Sequence, residues 1–122
     1  MIYHILNGDA LTPTFRETGL KGEVIIAREA LMDGDLSGET WQAFLENRAR
    51  VHGVSPEEYQ KNSGAEFDKI RNAPEDSVFH LWFEYDLFCQ VNFWFFLSLI
   101  YVLPENRKVW AYLQIQLLQV TS

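Results

Sequence analysis

Hydrophobic positions fall along the chain in short runs, some at strand length and some at helical spacing, with turn-forming residues between them. Ile2–Leu6 is a run of strand formers that ends in Asn7-Gly8-Asp9, a turn signal. Pro13–Thr18 reads as a short helix, with Thr12 as the cap before proline, Gly19 at the exit and Asp9 as the rival cap. Glu23–Ala27 forms a second strand, leading to Arg28 and Glu29 and then to a polar passage containing Gly34 and Gly38. Across Glu39–His52, Trp41, Phe44, Leu45 and Ala49 share one helical face, and Gly53 stops the helix. Ser55-Pro56-Glu57-Glu58 combines a cap, a proline at the first helical position and acids in the first turn. The helix it opens runs toward Asn72, with Tyr59, Phe67 and Ile70 inward and a break expected near Gly64.

Pro74-Glu75-Asp76 turns the chain into a third strand, Val78–Phe83. Asp86 then caps an apolar helix that Pro104 closes. In Val109–Val120, Leu113, Ile115 and Leu117 alternate with Gln114 and Gln116, which favours a strand, while Leu113, Leu117 and Val120 also suit a helical face. The resulting order β-α-β-αα-β-α-β marks a parallel sheet with crossover helices. The expected architecture is one α/β domain over residues 1–122, a small three-layer sandwich around a mainly parallel four-stranded sheet. The predicted strand order is 2-1-3-4, in the Rossmann- or flavodoxin-like manner.

Charge refines this outline. The chain carries a net −7 over 122 residues, and sixteen of its seventeen acids lie before Leu87. An acidic body argues against non-specific nucleic-acid binding, which needs clustered Lys and Arg. Leu87–Leu103 holds 17 residues without a charge, but a bilayer span takes about 20 apolar residues. Gln90, Asn92 and Ser98 also interrupt it, so a buried helix is expected and no membrane partner. Phe93–Leu103 is apolar around its circumference, which calls for a cover: a second copy of the chain or another domain. Cys89 is the single cysteine, excluding an intrachain disulfide, and with no signal-peptide pattern it favours the cytoplasm.

Candidate chemistry gathers at the strand ends. If the first three strands are parallel, Asn7-Gly8-Asp9, Arg28-Glu29 and Glu84-Tyr85-Asp86 emerge at one edge, where open α/β sheets place their ligand crevices. The crevice is expected at the switch point between the first and third strands. Gly8 admits a ligand close to the backbone, and Gln90 lies one helical turn past Asp86. Four carboxylates sharing a crevice repel unless a cation intervenes. Arg28, a basic ligand group or a metal would serve, with Asp9, Glu84 and Asp86 as the metal ligands. An all-oxygen set suits magnesium or manganese. No Cys/His spacing points to zinc, and nothing signals haem or flavin. Against this stand simpler roles: Asp9 and Asp86 as helix caps, Arg28 and Glu29 as a solvated ion pair, and His4 and His80 as neighbouring buried histidines. His52 reads as a surface residue. The aromatic cluster from Phe79 to Phe96 reads as core or interface.

The stretches around His4-Ile5-Leu6-Asn7-Gly8-Asp9, Gly22–Glu29 and Leu81–Gln90 resemble the DUF1835 family of bacterial proteins. That family shows a His-x-x-Asn-Gly-Asp element followed later by Trp-Phe-Glu-x-Asp-Leu-Phe-x-Gln. The resemblance covers roughly residues 1–103 and implies a location of interest without an activity, since the family has no assigned function. Cys89 stands where many members carry Asp, so an acid there is not obligatory. Members tend to be longer, so the resemblance implies an amino-terminal portion of a larger architecture.

The leading functional expectation is binding of a small polar ligand, nucleotide-like or a metal complex, at the carboxyl edge of the sheet. Its rivals are a metal-dependent phosphoester hydrolase and a dimerisation or protein-interaction module.

Overall fold

The computed structural model describes residues 1–84, 86–104 and 107–113. Four strands make one sheet: β1 (Ile2–Leu6), β2 (Glu23–Ile26), β3 (Val78–Phe83) and β4 (Lys108–Leu113), in the order β2-β1-β3-β4. All three pairings are parallel, with Ile5 opposite both Ile25 and Leu81, and Leu81 opposite Ala111. The predicted order and the α/β class are therefore what the chain adopts. Residues 114–120 of the last predicted element lie outside the described residues, as does Tyr85.

The helices are α1 (Thr12–Glu17), α2 (Trp41–His52), α3 (Pro56–Tyr59), α4 (Ala65–Arg71) and α5 (Leu87–Tyr101). The step from β1 to β2 runs across the sheet in one direction, and the steps from β2 to β3 and from β3 to β4 run in the other. Right-handed crossovers then put α1 on one face and α2 to α5 on the opposite face. The side chains agree. Tyr3, Ile5, Ile25, Phe79, Leu81 and Phe83 form one core with Phe44, Phe67, Phe93 and Phe96 from the helices. Leu6 and Phe15 form a second, smaller cluster on the α1 side, packed by Leu11, Val24 and Trp82. The third layer is thus only a six-residue helix, and Ile2 and Trp110 stay exposed on that face. Phe67, Phe79, Phe83 and Phe96 are fully buried, and each such ring contributes about 1.5–3 kcal/mol.

Local signals explain most element ends. Thr40 caps α2 by accepting from the Ala43 amide, and Gly53 takes φ 67° to close it. Ser55 caps α3 through the Glu58 amide. Asp86 caps α5 through the Cys89 amide, as expected. Thr12 does not cap α1: a 3₁₀ turn over Asp9–Leu11 leads directly into the helix, and the Thr12 hydroxyl is buried without a partner. The turn satisfies the entry backbone, so no side-chain cap is needed. The break expected near Gly64 is instead a π-helical turn, Gln60–Gly64, joining α3 to α4 without interruption. A Cβ on Gly64 would crowd the end of the Gln60 side chain, which would have to swing aside to admit it.

Candidate functional site

The strand ends converge as the sequence predicts, but adjacent residues then part company. Gly8 follows β1 with φ 103° and open space where a Cβ would lie. That backbone angle, which L side chains rarely adopt, swings Asp9 toward the end of β2. There Arg28 donates from Nε and Nη2 to the Asp9 carboxylate at 2.9–3.1 Å. Its Nη1 donates to the Asn62 carbonyl at 3.2 Å, and the Ser63 hydroxyl returns a bond to the Arg28 carbonyl at 2.7 Å. Arg28 therefore ties the end of β1, the end of β2 and the π turn together. Hydrogen bonding to Arg28 holds the Asp9 carboxyl below its ordinary range.

Glu29 points the other way, into the protein, and its carboxylate is fully buried. Arg48 donates to it from Nε and Nη2, both at 2.8 Å. The Tyr59 hydroxyl donates at 2.6 Å, the Ala30 amide at 2.8 Å, and His52 Nε2 lies 2.7 Å away. Arg48 is itself fully buried and gives its remaining hydrogens to the carbonyls of Asp33, Asp35 and Ala30. Five N–H groups thus meet five acceptors, the condition under which a buried guanidinium is tolerated. Burial alone would raise the Glu29 carboxyl, but bonds from Arg48, Tyr59 and His52 outweigh it and bring it down to about 2. Glu29 is therefore neither a solvated partner of Arg28 nor a ligand contact. It anchors the passage after β2 onto α2 and α3.

Between these two ion pairs lies a cavity of about 570 Å³, lined by Asp9, Arg28, His52, Val54, Tyr59, Asn62 and Ser63. It sits on the β1–β2 side rather than at the β1–β3 switch point. The switch point is bridged instead: Asn7 Nδ2 donates to Cys89 Sγ, and Asn92 Nδ2 donates to Asn7 Oδ1 at 3.0 Å. Asn92, buried in α5, also donates to the Glu29 carbonyl and accepts from the Leu31 amide. Asn7 thus supports the edge from beneath.

His52 is exposed, as the sequence suggests, and it lines this cavity. Glu29 only accepts and Arg48 only donates, so His52 Nε2 cannot bond both. The 2.7 Å contact to Glu29, against 3.4 Å to Arg48, places a hydrogen on Nε2. In the neutral ring this leaves Nδ1 as an acceptor. The spacing of α2 carried a signal for this: Arg48 and His52 continue the inward stripe of Trp41, Phe44, Leu45 and Ala49 at helical intervals. Tyr59 was legible as an inward residue, whereas Asn62 and Ser63 had no sequence signal of their own.

The acids of β3 do not join Asp9. Glu84 follows the strand half-buried, and Asp86 is spent on its cap, accepting from the Cys89 amide at 3.0 Å. Bonds from Cys89 hold the Asp86 carboxyl low. Gln90 is half-buried in α5, with its amide donating to the Asp86 carbonyl at 3.0 Å. No group of three or more His, Cys, Asp or Glu side chains suited to a metal forms among the described residues. The set Asp9, Glu84 and Asp86 is therefore corrected as a magnesium or manganese centre: Asp9 is turned onto Arg28 and Asp86 onto its own helix. Burial and then Asp86 push the Cys89 thiol up to about 11, which keeps it protonated at neutral pH.

His4 and His80 do lie side by side, directly paired in register with ring centres 4.9 Å apart. Trp82 Nε1 donates to His4 Nδ1 at 3.1 Å, so His4 Nε2 carries the hydrogen that meets the Lys21 carbonyl at 2.9 Å. Burial lowers both histidines. His4 is neutral with both ring nitrogens satisfied. No family model, curated protein or solved structure matches the chain.

Proposed function

We propose that the chain binds a small polar ligand of about nucleoside size, carrying at most one negative charge, in the cavity between Arg28 and His52. The observation that carries this reading is the cavity itself, about 570 Å³, within the ~300–1,000 Å³ typical of small-molecule sites. Its polar groups are oriented by bonds behind them. Arg28 uses three of its five N–H groups on Asp9 and Asn62, leaving two for a ligand. His52 offers Nδ1, and Tyr59 and Val54 supply wall area. A π-helical turn beside the cavity fits a binding role, since such turns recur at functional sites.

Charge narrows the ligand class. Asp9 balances Arg28 and Glu29 balances Arg48, so the two ion pairs bring no net charge to the site. A polyphosphate or a phosphomonoester, which carries about two negative charges at neutral pH, would be left uncompensated here, whereas a nucleoside would not. The hydrolase reading loses its support, because the carboxylates it needs do not converge.

A thermal-shift screen of the common nucleosides tests the proposal. At least one member should raise the melting temperature of the wild-type chain and leave Arg28→Gln unmoved. Arg28 is part-exposed, so its replacement leaves the core intact. A panel without effect on the wild type, or with an equal effect on Arg28→Gln, refutes the assignment.

A further inference from the structure

The described surface offers a second feature that the ligand cavity does not use. Helix α5 buries Asn92, Phe93, Phe96, Leu99 and Ile100 against the core. Its opposite side carries Leu87, Trp94 and Tyr101 at intervals of seven residues, with Ser98 exposed between the last two and Val91 half-buried against the core. That is the spacing of a helix-pairing seam. Leu87 is 60% exposed, Trp94 62% and Tyr101 74%, with Phe88 and Val102 alongside at 50% and 77%. No charged residue occurs from Leu87 to Pro104.

We propose that this stripe is a two-fold interface with a second copy of the same chain, the two α5 helices lying antiparallel and crossing near Trp94. Three observations single out a second copy. The stripe is self-complementary about Trp94: Leu87 and Tyr101 stand seven residues to either side, so a perpendicular two-fold axis through Trp94 sets each Leu87 against the partner's Tyr101. The area also suffices. At about 150–250 Å² for a large side chain, the exposed parts of Leu87, Phe88, Trp94, Tyr101 and Val102 amount to roughly 600 Å² per copy. Two copies exceed the ~1,000 Å² that a specific interface needs. Finally, copies with a net charge of −7 repel wherever their acidic surfaces meet, and α5 brings no charge to the contact. A charged partner finds nothing on α5 to pair with. A lipid surface is a poorer match, because interfacial helices flank their apolar face with Lys or Arg.

The interface is narrower than the run Phe93–Leu103 suggested in sequence. Phe95 stacks on Phe44 at 5.4 Å and meets Phe67 edge-on, so it serves the core.

Sedimentation equilibrium across the micromolar range tests the proposal. The wild type should reach twice the chain mass, and Trp94→Glu, which sets two carboxylates beside the axis, should stay monomeric at every concentration. Leu87→Glu is the second variant: an acid in the first helical turn suits the helix dipole, so it weakens pairing without weakening α5. Its dimer dissociation constant should rise at least about 100-fold, the effect of placing an unpaired charge in a buried contact. Circular dichroism should show both variants folded, since both positions are exposed. A monomeric wild type overturns the proposal, and so does unchanged self-association in a folded Trp94→Glu or Leu87→Glu chain.

Discussion

Replacing Glu29 with glutamine preserves volume and removes one charge, and the structure turns that small change into a large effect. Arg48, Tyr59, His52 and the Ala30 amide all direct hydrogens at the two carboxylate oxygens. A glutamine side chain meets this array with one oxygen and one donating NH₂ group, so at least one buried donor faces another donor. Arg48, wholly buried, also loses its counter-charge. Two routes give the magnitude. The Glu29 carboxyl sits at about 2 in place of its ordinary 4.5. At about 1.4 kcal/mol per unit this corresponds to about 3 kcal/mol. Breaking a buried ion pair from one side costs about 3–5 kcal/mol. Folded domains hold only about 5–15 kcal/mol in total.

Urea unfolding provides the assay, and pH supplies its signature. At neutral pH, Glu29→Gln should unfold at a midpoint about 1–3 M lower than the wild type. The Glu29 carboxyl lies lower in the folded than in the unfolded chain, so its contribution is complete above 4.5 and is lost as pH falls toward about 2. The gap between wild type and variant should therefore narrow steadily over that window. A gap that persists unchanged through acid, or a neutral-pH loss below about 1 kcal/mol, would refute the account of Glu29 as a charged anchor.

Asp86→Ala should cost about 1 kcal/mol, the worth of one helix cap, and lower the melting temperature by a few degrees. A differential scanning trace superimposable on the wild type would show that α5 begins without the Asp86 bond to the Cys89 amide. Cys89 should alkylate slowly at pH 8 and accelerate as pH rises toward about 11, because its thiol is held protonated by burial and by Asp86. Rapid modification of the folded chain by iodoacetamide at neutral pH would contradict that assignment.

Local and periodic information determined much of this protein from sequence. The order of strands and helices and the cap at Asp86 follow from residues near one another in the chain, whereas right-handed crossovers allow several strand orders, of which the chain adopts the expected 2-1-3-4. The inward positions of Phe44, Leu45, Tyr59, Phe67 and Ile70 follow from helical spacing in the same way. The arrival of residues 7–9, 28–29, 84 and 86 at one edge followed from parallel strands alone.

Tertiary structure decided which of these polar residues line the cavity. Arg28 and Glu29 are neighbours at a strand end, so their side chains leave on opposite sides, and sequence does not say which goes inward. The answer came from Arg48, nineteen residues away on α2, and from Tyr59, thirty residues away. Likewise Asn7 meets Cys89 and Asn92 across more than eighty residues, closing the crevice expected between β1 and β3. Hydrophobic placement is legible because it depends on period and averages over many weak contacts. The partner of a buried charge is a single long-range choice, settled only when the packed chain brings one donor array to one carboxylate.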